Sequence, residues 1–236
     1  MGSIYLIRHG QASFGADNYD VLSERGVRQA QVLGAHWREL GLRLDRCYSG
    51  SLSRQQSTGK AALEQLHAAG LPAPELQIDP AFNEFHSDDV IKAYMPDLLA
   101  YEPEAPYILA NAAQNRAEFQ RLFAFVINRW SSGQHPKQGL QSWAEFVQQV
   151  EDGIRRILAS ADNKERIAIF TSGGTISAAM QLVMGLKPAS AFELNWQIVN
   201  TSQSLLKFRG NDLAVASFNS HVHLELLKNP ELITFR

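Results

Sequence analysis

The sequence predicts an α/β fold: a three-layer sandwich with a mostly parallel mixed sheet and a helical cap insertion. Three observations predict it. Short apolar runs rich in β-branched and aromatic residues, chiefly Ile4-Tyr5-Leu6-Ile7 and Ile167-Ala168-Ile169-Phe170, alternate along the chain with segments of helical periodicity. Near the end, a Gly210-Asn211-Asp212 turn joins two strand-like runs, which adds antiparallel members to a sheet otherwise built by crossovers. A helical block between two of the strands is too long for a single crossover.

Taken in order, the first strand stops at Arg8-His9-Gly10-Gln11. Polar residues at the carboxyl end of a buried strand stand where open α/β sheets bind ligands; the plain alternative is a solvated strand end with a turn glycine. Ser23 is the expected N-cap of a helix in which Val27, Ala30, Leu33, Trp37 and Leu40 recur at helical spacing until Gly41 ends it. Arg46-Cys47-Tyr48-Ser49 reads as the second strand. Ser51 is the expected cap of a helix running to about Ala69, which puts Arg54 in its first turn. Leu76-Gln77-Ile78 reads as the third strand, before Asp79-Pro80.

From Asp88 to Ala161 the pattern is mostly helical, broken at Glu102-Pro103 and again from Ser131 to Gly139. We read this block as a cap over a sheet edge, its insertion spanning approximately residues 85–140 of a single domain covering 1–236. Arg166 to Thr171 is the clearest strand. It runs straight into Ser172-Gly173-Gly174-Thr175 and an apolar helix to about Met184. Further strands are expected near Trp196–Asn200 and over Ser204–Arg209, with Leu213–Phe218 closing a hairpin.

A chain of 236 residues can bury a sizeable core in one such domain. The formal net charge of -2 and the lack of a like-charge block give no footprint for nucleic acid. The one cysteine, Cys47, excludes an intrachain disulfide and suits a reducing compartment. Met1–Ile7 lacks the length and basic start of a signal peptide, and Leu6 stands where a myristoylation motif needs serine or threonine. No apolar stretch reaches bilayer length. The expectation is a cytoplasmic protein with neither a membrane nor a nucleic-acid partner.

Three strand ends carry compatible chemistry. Arg8 and His9 follow the first strand, Arg54 follows the second, and Ser172-Gly173-Gly174 opens the helix after the fourth. A helix start exposes unpaired N–H groups and a positive dipole end, which suits a phosphate. Two arginines can grip phosphate oxygens in a bidentate fork that lysine lacks, and a histidine between them can attack phosphorus. Each piece alone is ordinary, a solvated helix charge or a tight turn; jointly they point to one phosphate site.

These segments resemble the histidine phosphatase (phosphoglycerate mutase-like) superfamily. Arg8-His9-Gly10-Gln11 is similar to its first-strand signature. Leu22-Ser23-Glu24-Arg25-Gly26-Val27-Arg28-Gln29-Ala30 resembles its Leu-Thr/Ser-x-x-Gly-x-x-Gln-Ala segment. Tyr48-Ser49-Gly50-Ser51-Leu52-Ser53-Arg54 resembles its Tyr-Ser-Ser-Pro-Leu-x-Arg segment, with Thr58 following and Ser57 where glutamine is usual. Phe82-Asn83-Glu84 falls where the family places its acid.

The resemblance implies that His9 is the nucleophile, forming a phosphohistidine, and that Glu84 protonates the leaving oxygen. It also implies that Arg8 and Arg54 hold the phosphoryl group, joined by Ser172 and Gly173, while Gln11 and Ser23 contact the substrate. No metal and no other cofactor is expected, because arginines supply the positive charge that phosphoryl transfer needs and no His/Asp cluster has metal spacing. The expected ligand is a small phosphorylated metabolite, and the reading admits a homodimer.

One departure stands out. Thr171-Ser172-Gly173-Gly174 puts Ser172 where the family has its second histidine, so weakened catalysis is expected; His221 and His223 are candidates to reach the pocket instead. The leading expectation is a metal-independent phosphomonoesterase. A phosphomutase of the same superfamily and a catalytically weakened phosphate-binding protein are the alternatives.

Overall fold

A computed structural model describes residues 1–13, 20–112 and 114–235. Of the calls above, the domain span and the helical block therefore include positions outside the described residues, Ala113 and Arg236 among them. The sheet has six strands: β1 (Gly2–Arg8), β2 (Arg46–Ser49), β3 (Leu76–Ile78), β4 (Arg166–Thr171), β5 (Gln203–Arg209) and β6 (Asp212–Ser220). They lie in the order β3-β2-β4-β1-β5-β6. The first four are mutually parallel, and β5 runs antiparallel to both β1 and β6.

Side-chain alternation along the central strands builds the layers. Ile7 of β1 with Ala168 and Phe170 of β4 faces Leu33 and Trp37 of α1 (Glu24–Glu39) and Ala62, Leu63 and Leu66 of α2 (Ser53–His67). Ile4, Leu6, Ile167 and Ile169 point the other way. They meet a larger core that includes Phe146, Val150 and Ile154 of α7 (Trp143–Ser160) and Ile176, Ala179 and Met180 of α8 (Gly173–Met184). Helices thus cover both faces of the sheet, which accounts for strands that read as continuous apolar runs.

Between β3 and α7 stand α3 (Ser87–Ala93), α4 (Met95–Tyr101), α5 (Ala105–Ala110) and α6 (Arg116–Ser132). The longest of them, α6, packs against the other three and against α7. Its last turn ends at Gly133 with φ 67°, a left-handed stop that glycine adopts without strain. α7 opens with a capping box, the Ser142 and Glu145 side chains each accepting from the other's backbone N–H. After α8 comes α9 (Pro188–Asn195), a helix the periodicity did not reveal, and α10 (Val222–Glu225) follows β6.

Two expectations need correction. Trp196–Asn200 is not a strand. It is a loop, buried from Ile198 to Asn200, in which side chains take two backbone groups: the Val199 N–H donates to Asn219 Oδ1 (2.8 Å) and the Ile198 carbonyl accepts from Arg8 Nη1. Its apolar side chains are buried as strand residues would be, which is why the composition misled. Nor does Ser51 cap α2. Leu52 holds that position without a side-chain bond, while the Asp20 carboxylate accepts from Ser53 N (2.8 Å) and Arg54 N (3.4 Å). Ser51 turns instead to Asn83, whose Oδ1 accepts from its N–H.

That buried loop suspends the end of β1. Thr201 N donates to the Arg8 carbonyl (3.0 Å) and Arg8 N to the Ser202 carbonyl (3.2 Å). Thr201 itself has φ 61°, a conformation β-branched residues avoid. Its hydroxyl donates to the Asn200 carbonyl (2.7 Å) and so accepts from His223 Nε2–H (3.0 Å), which assigns the neutral tautomer to His223. Burial lowers the His223 pKa to about 3, helped by His36 and His221 nearby. The unfolded chain therefore binds a proton at this residue between the ordinary value near 6.5 and about 3, and the native chain does not. Stability is accordingly expected to fall as pH drops through that window, by about 1.4 kcal/mol per pH unit at most from this group. His223→Gln is expected to flatten the acid limb in chemical denaturation at stepped pH; an unchanged limb would show that another group controls it.

Candidate active site

The carboxyl edge of the sheet gathers the groups that the sequence singled out. His9 follows β1 and is buried, 3% exposed. Its Nδ1 lies 2.7 Å from the Gly10 carbonyl, which can only accept, so Nδ1 carries the proton and Nε2 the lone pair. Arg54 approaches that nitrogen, its Nε 3.3 Å from His9 Nε2. Burial, then the charges of Arg54 and Arg8, hold the His9 pKa well below the ordinary range. The imidazole is thus neutral at neutral pH, and its Nε2 lone pair accepts from Arg54 Nε–H.

The surrounding backbone holds this ring rigidly. His9 N donates to the Thr171 carbonyl (2.8 Å), and the His9 carbonyl accepts from Asn200 Nδ2 (2.9 Å). Gly10 N donates to Thr58 Oγ1 (3.0 Å), whose own proton goes to the Arg54 carbonyl (2.7 Å), so one hydroxyl ties the His9 loop to the Arg54 helix. Gly10 also sits so close to the Gly26 backbone that a methyl on either would strike the other's loop.

Arg54, in the first turn of α2, also pairs with Asp20 through Nη1 (2.8 Å). Arg8 is buried and donates from Nη1 to the Ile198 carbonyl. Glu84 stands after the short turn that follows β3. Its Oε2 accepts from Gly174 N (2.9 Å) at the start of α8, and its Oε1 from Phe85 N (3.1 Å). Burial raises its pKa, against the pull of those N–H groups, Arg54 and Arg8. The same two arginines act on both His9 and Glu84, so these four groups share one electrostatic site. A neutral base and a carboxyl that retains its proton further toward neutrality make a complementary acid–base pair.

The helix start is used differently from the expectation. Gly174 gives its N–H to Glu84. A methyl on Gly173 would strike Asn195 Oδ1, so the glycine makes room for that side chain beside Arg8. Ser172 is buried at the N-cap of α8, and its Oγ accepts from Gln55 Nε2 (2.8 Å). Gln11 and Ser23 are bonded to each other, the Ser23 hydroxyl donating to Gln11 Oε1 (3.0 Å) while it accepts from Gly26 N (3.1 Å) as the cap of α1. The bonds of His221 and His223 go to Asn219, Glu225 and Thr201, and none of these is a group of the site.

Sequence reading missed four contributors: Asp20, Gln55, Asn200 and Gln29. The last donates to the Leu232 carbonyl (2.8 Å) and Thr234 Oγ1 (2.8 Å), and its Oε1 accepts from Gln11 N (2.8 Å). A glutamine on the apolar face of a predicted helix was the available signal for Gln29. The others are brought to the site only by the tertiary fold. Among the described residues no group of three or more His, Cys, Asp or Glu is placed to hold a metal, and no helix is long and apolar enough to cross a membrane.

The sequence profile of the histidine phosphatase superfamily (branch 1) matches residues 4–122 and 111–221. A 2,3-bisphosphoglycerate-dependent phosphoglycerate mutase of a Methylobacterium species is 32% identical over 190 residues, 78% of this chain and 81% of that one. The match to the corresponding Bartonella henselae mutase is 34% over 94 residues and spans 37% of this chain and only 44% of that protein. Among solved structures, a phosphoserine phosphatase variant of Entamoeba histolytica in complex with phosphoserine superposes with a TM-score of 0.62 at 17% identity. That superposition covers 95% of this chain and 100% of the other. With the profile matching most of the sequence and the two arginines, the histidine and the carboxyl meeting at one sheet edge, the chain belongs to branch 1 of the histidine phosphatase superfamily.

Proposed function

We propose that the protein is a metal-independent phosphatase that hydrolyses a small phosphomonoester through a phosphohistidine. The observation that carries this reading is the tautomer of His9: Nδ1–H held by the Gly10 carbonyl leaves the lone pair on Nε2, where Arg54 Nε–H meets it. In the first step Nε2 attacks phosphorus while the ester P–O bond breaks, and the leaving oxygen takes the Glu84 proton. In the second, Glu84 as carboxylate removes a proton from water, whose oxygen displaces His9 and releases inorganic phosphate. Arg8 and Arg54 neutralise the equatorial oxygens in both steps. Gln11 and Ser23 are assigned to the substrate beyond the phosphoryl group, and the α3–α6 helices to selecting it as a cap. A mutase would return the phosphoryl group to another hydroxyl, and Ser172 in place of the second histidine argues for release to water instead.

Three results test the proposal. Brief reaction with a labelled phosphomonoester and alkaline quenching is expected to leave acid-labile phosphate on the wild-type chain. In His9→Ala both the label and the turnover are expected to vanish; full activity there would exclude the mechanism. Arg54→Ala is expected to lose more activity than Ser172→Ala, the latter by about a hundred-fold, as one lost donor to developing charge costs. If no phosphomonoester of a broad panel is hydrolysed while phosphate is bound tightly, the site is a binding site only.

Glu84→Gln is expected to impair alkyl phosphates more than aryl phosphates, whose leaving groups need less protonation. Because the folded pKa of Glu84 is raised, the native chain keeps a proton that the unfolded chain has released, and stability falls as pH rises through the folded value. The Gln variant keeps an oxygen for Gly174 but loses the acceptor for Phe85 N, so its Tm relative to wild type is expected to rise between acid pH and pH 8 on top of a constant loss. Equal loss on both ester classes, with the Tm difference unchanged across that pH range, would make Glu84 a structural residue.

A further inference from the structure

The geometry points to Gln55 as a positioning residue that turns the Ser172 hydroxyl into a dedicated donor to the phosphoryl group. The inference rests on the phosphatase reading above and concerns how this chain manages without a second histidine. Gln55 follows Arg54 in the first turn of α2 and is fully buried, as is Ser172. Its amide nitrogen donates twice, to the Phe82 carbonyl (3.1 Å) and to Ser172 Oγ (2.8 Å). The Phe82 carbonyl can only accept, so the amide is oriented nitrogen-inward and cannot be reversed without setting two oxygens against each other. Ser172 Oγ is therefore an acceptor toward Gln55, and its own proton must go elsewhere.

No acceptor for that proton occurs among the described residues. Ser172 sits beside the site: the Thr171 carbonyl before it accepts from His9 N, and a Cβ on Gly173 after it would lie 3.8 Å from Arg8 Nε. A buried hydroxyl that already accepts from the protein and has no protein partner for its proton is a donor in waiting. The remaining amide oxygen, Gln55 Oε1, is buried without a hydrogen-bond partner and rests against Gly50, where a side chain would strike it. Tolerating that orphaned oxygen is a cost, and it is offset if the nitrogen end performs a function.

Gln55→Met and Gln55→Glu, with Ser172→Ala alone and in combination, test this. The Phe82 carbonyl keeps the Thr171 hydroxyl (2.6 Å) in either variant, so neither leaves it unpaired. With the best phosphomonoester of a panel, Gln55→Met and Ser172→Ala are each expected to lower kcat by about a hundred-fold. KM is expected to change little, and the double variant to lose about the same factor rather than the product, because one acts through the other. In Gln55→Glu the carboxylate accepts from Ser172 and turns the proton away. Its kcat relative to wild type is therefore expected to rise as pH falls and the new carboxyl protonates. Multiplicative losses, or a flat pH ratio in Gln55→Glu, would overturn the assignment. Should the wild type hydrolyse nothing, the function proposal fails on its own, and the same cycle is read from the affinity for inorganic phosphate. Coupled losses there sustain the Gln55–Ser172 relay, and independent ones end it.

Discussion

The site depends on keeping one imidazole neutral between two guanidinium groups. A protonated His9 would face Arg8 and Arg54 across a buried space, where like charges repel strongly and water cannot screen them. On the proposed mechanism neutrality alone is insufficient, because the wrong tautomer would turn a proton rather than a lone pair toward the substrate phosphorus. The Gly10 carbonyl settles that choice, and it can do so only if the His9–Gly10 backbone is immobile. Much of the architecture around the first strand end serves that immobility: the parallel partner β4 through Thr171, the helix α2 through Thr58, and the loop after α9 through Asn200 and Thr201.

Those supports share a chemistry. Gln29, Gln55, Thr58 and Asn200 are buried, uncharged and hydrogen-bonded to backbone of other elements. Amides and hydroxyls can fix a backbone group without adding a charge that would disturb His9 or compete with a phosphate. The C-terminal segment joins this system, since Gln29 and Asn200 both bond Thr234, and Leu232 gives its carbonyl to Gln29. His9, near the start of the chain, is thereby braced by residues near its end. The left-handed conformation of Thr201 belongs to the same bracing: strain is retained where surrounding contacts over-determine the loop that carries β1.

Much of this was legible in the sequence for definite reasons. The bounds of β2, β3, β4 and α8 follow from period, turn residues and glycine punctuation, which are local signals. His9, Arg8, Arg54 and Glu84 were legible because they stand at strand ends or in recognisable segments. Asp20 was not, since its role at the start of α2 spans more than thirty residues and replaces the nearer serine. The run from Trp196 to Asn200 was misread because burial is what periodicity reports, and a loop paired to side chains can be as buried as a strand. Gln55 was invisible for the opposite reason: a glutamine in the first turn of a helix is ordinary until the fold sets it against Ser172.

The serine at position 172 also bears on the acid. Glu84 draws on the start of α8 through Gly174, two residues beyond Ser172, and its carboxyl is balanced between burial, which favours the proton, and two N–H groups and two arginines, which favour its loss. A protonated histidine at the N-cap would have added a further cation on the side of ionisation. With serine there, the proton is held more firmly, which suits donation to a poor leaving group. The phosphoryl oxygens lose a charged donor in exchange, and a neutral hydrogen bond is about half as strong as a charge-assisted one. On the proposed mechanism, serine at 172 thus favours a carboxyl that is still protonated near neutral pH when it meets the leaving oxygen, at the expense of grip on the transferred group. If the proposed hydrolysis holds, a site so balanced is suited to breaking an alkyl phosphate once, and less suited to retaining the phosphoryl group for return to the same molecule.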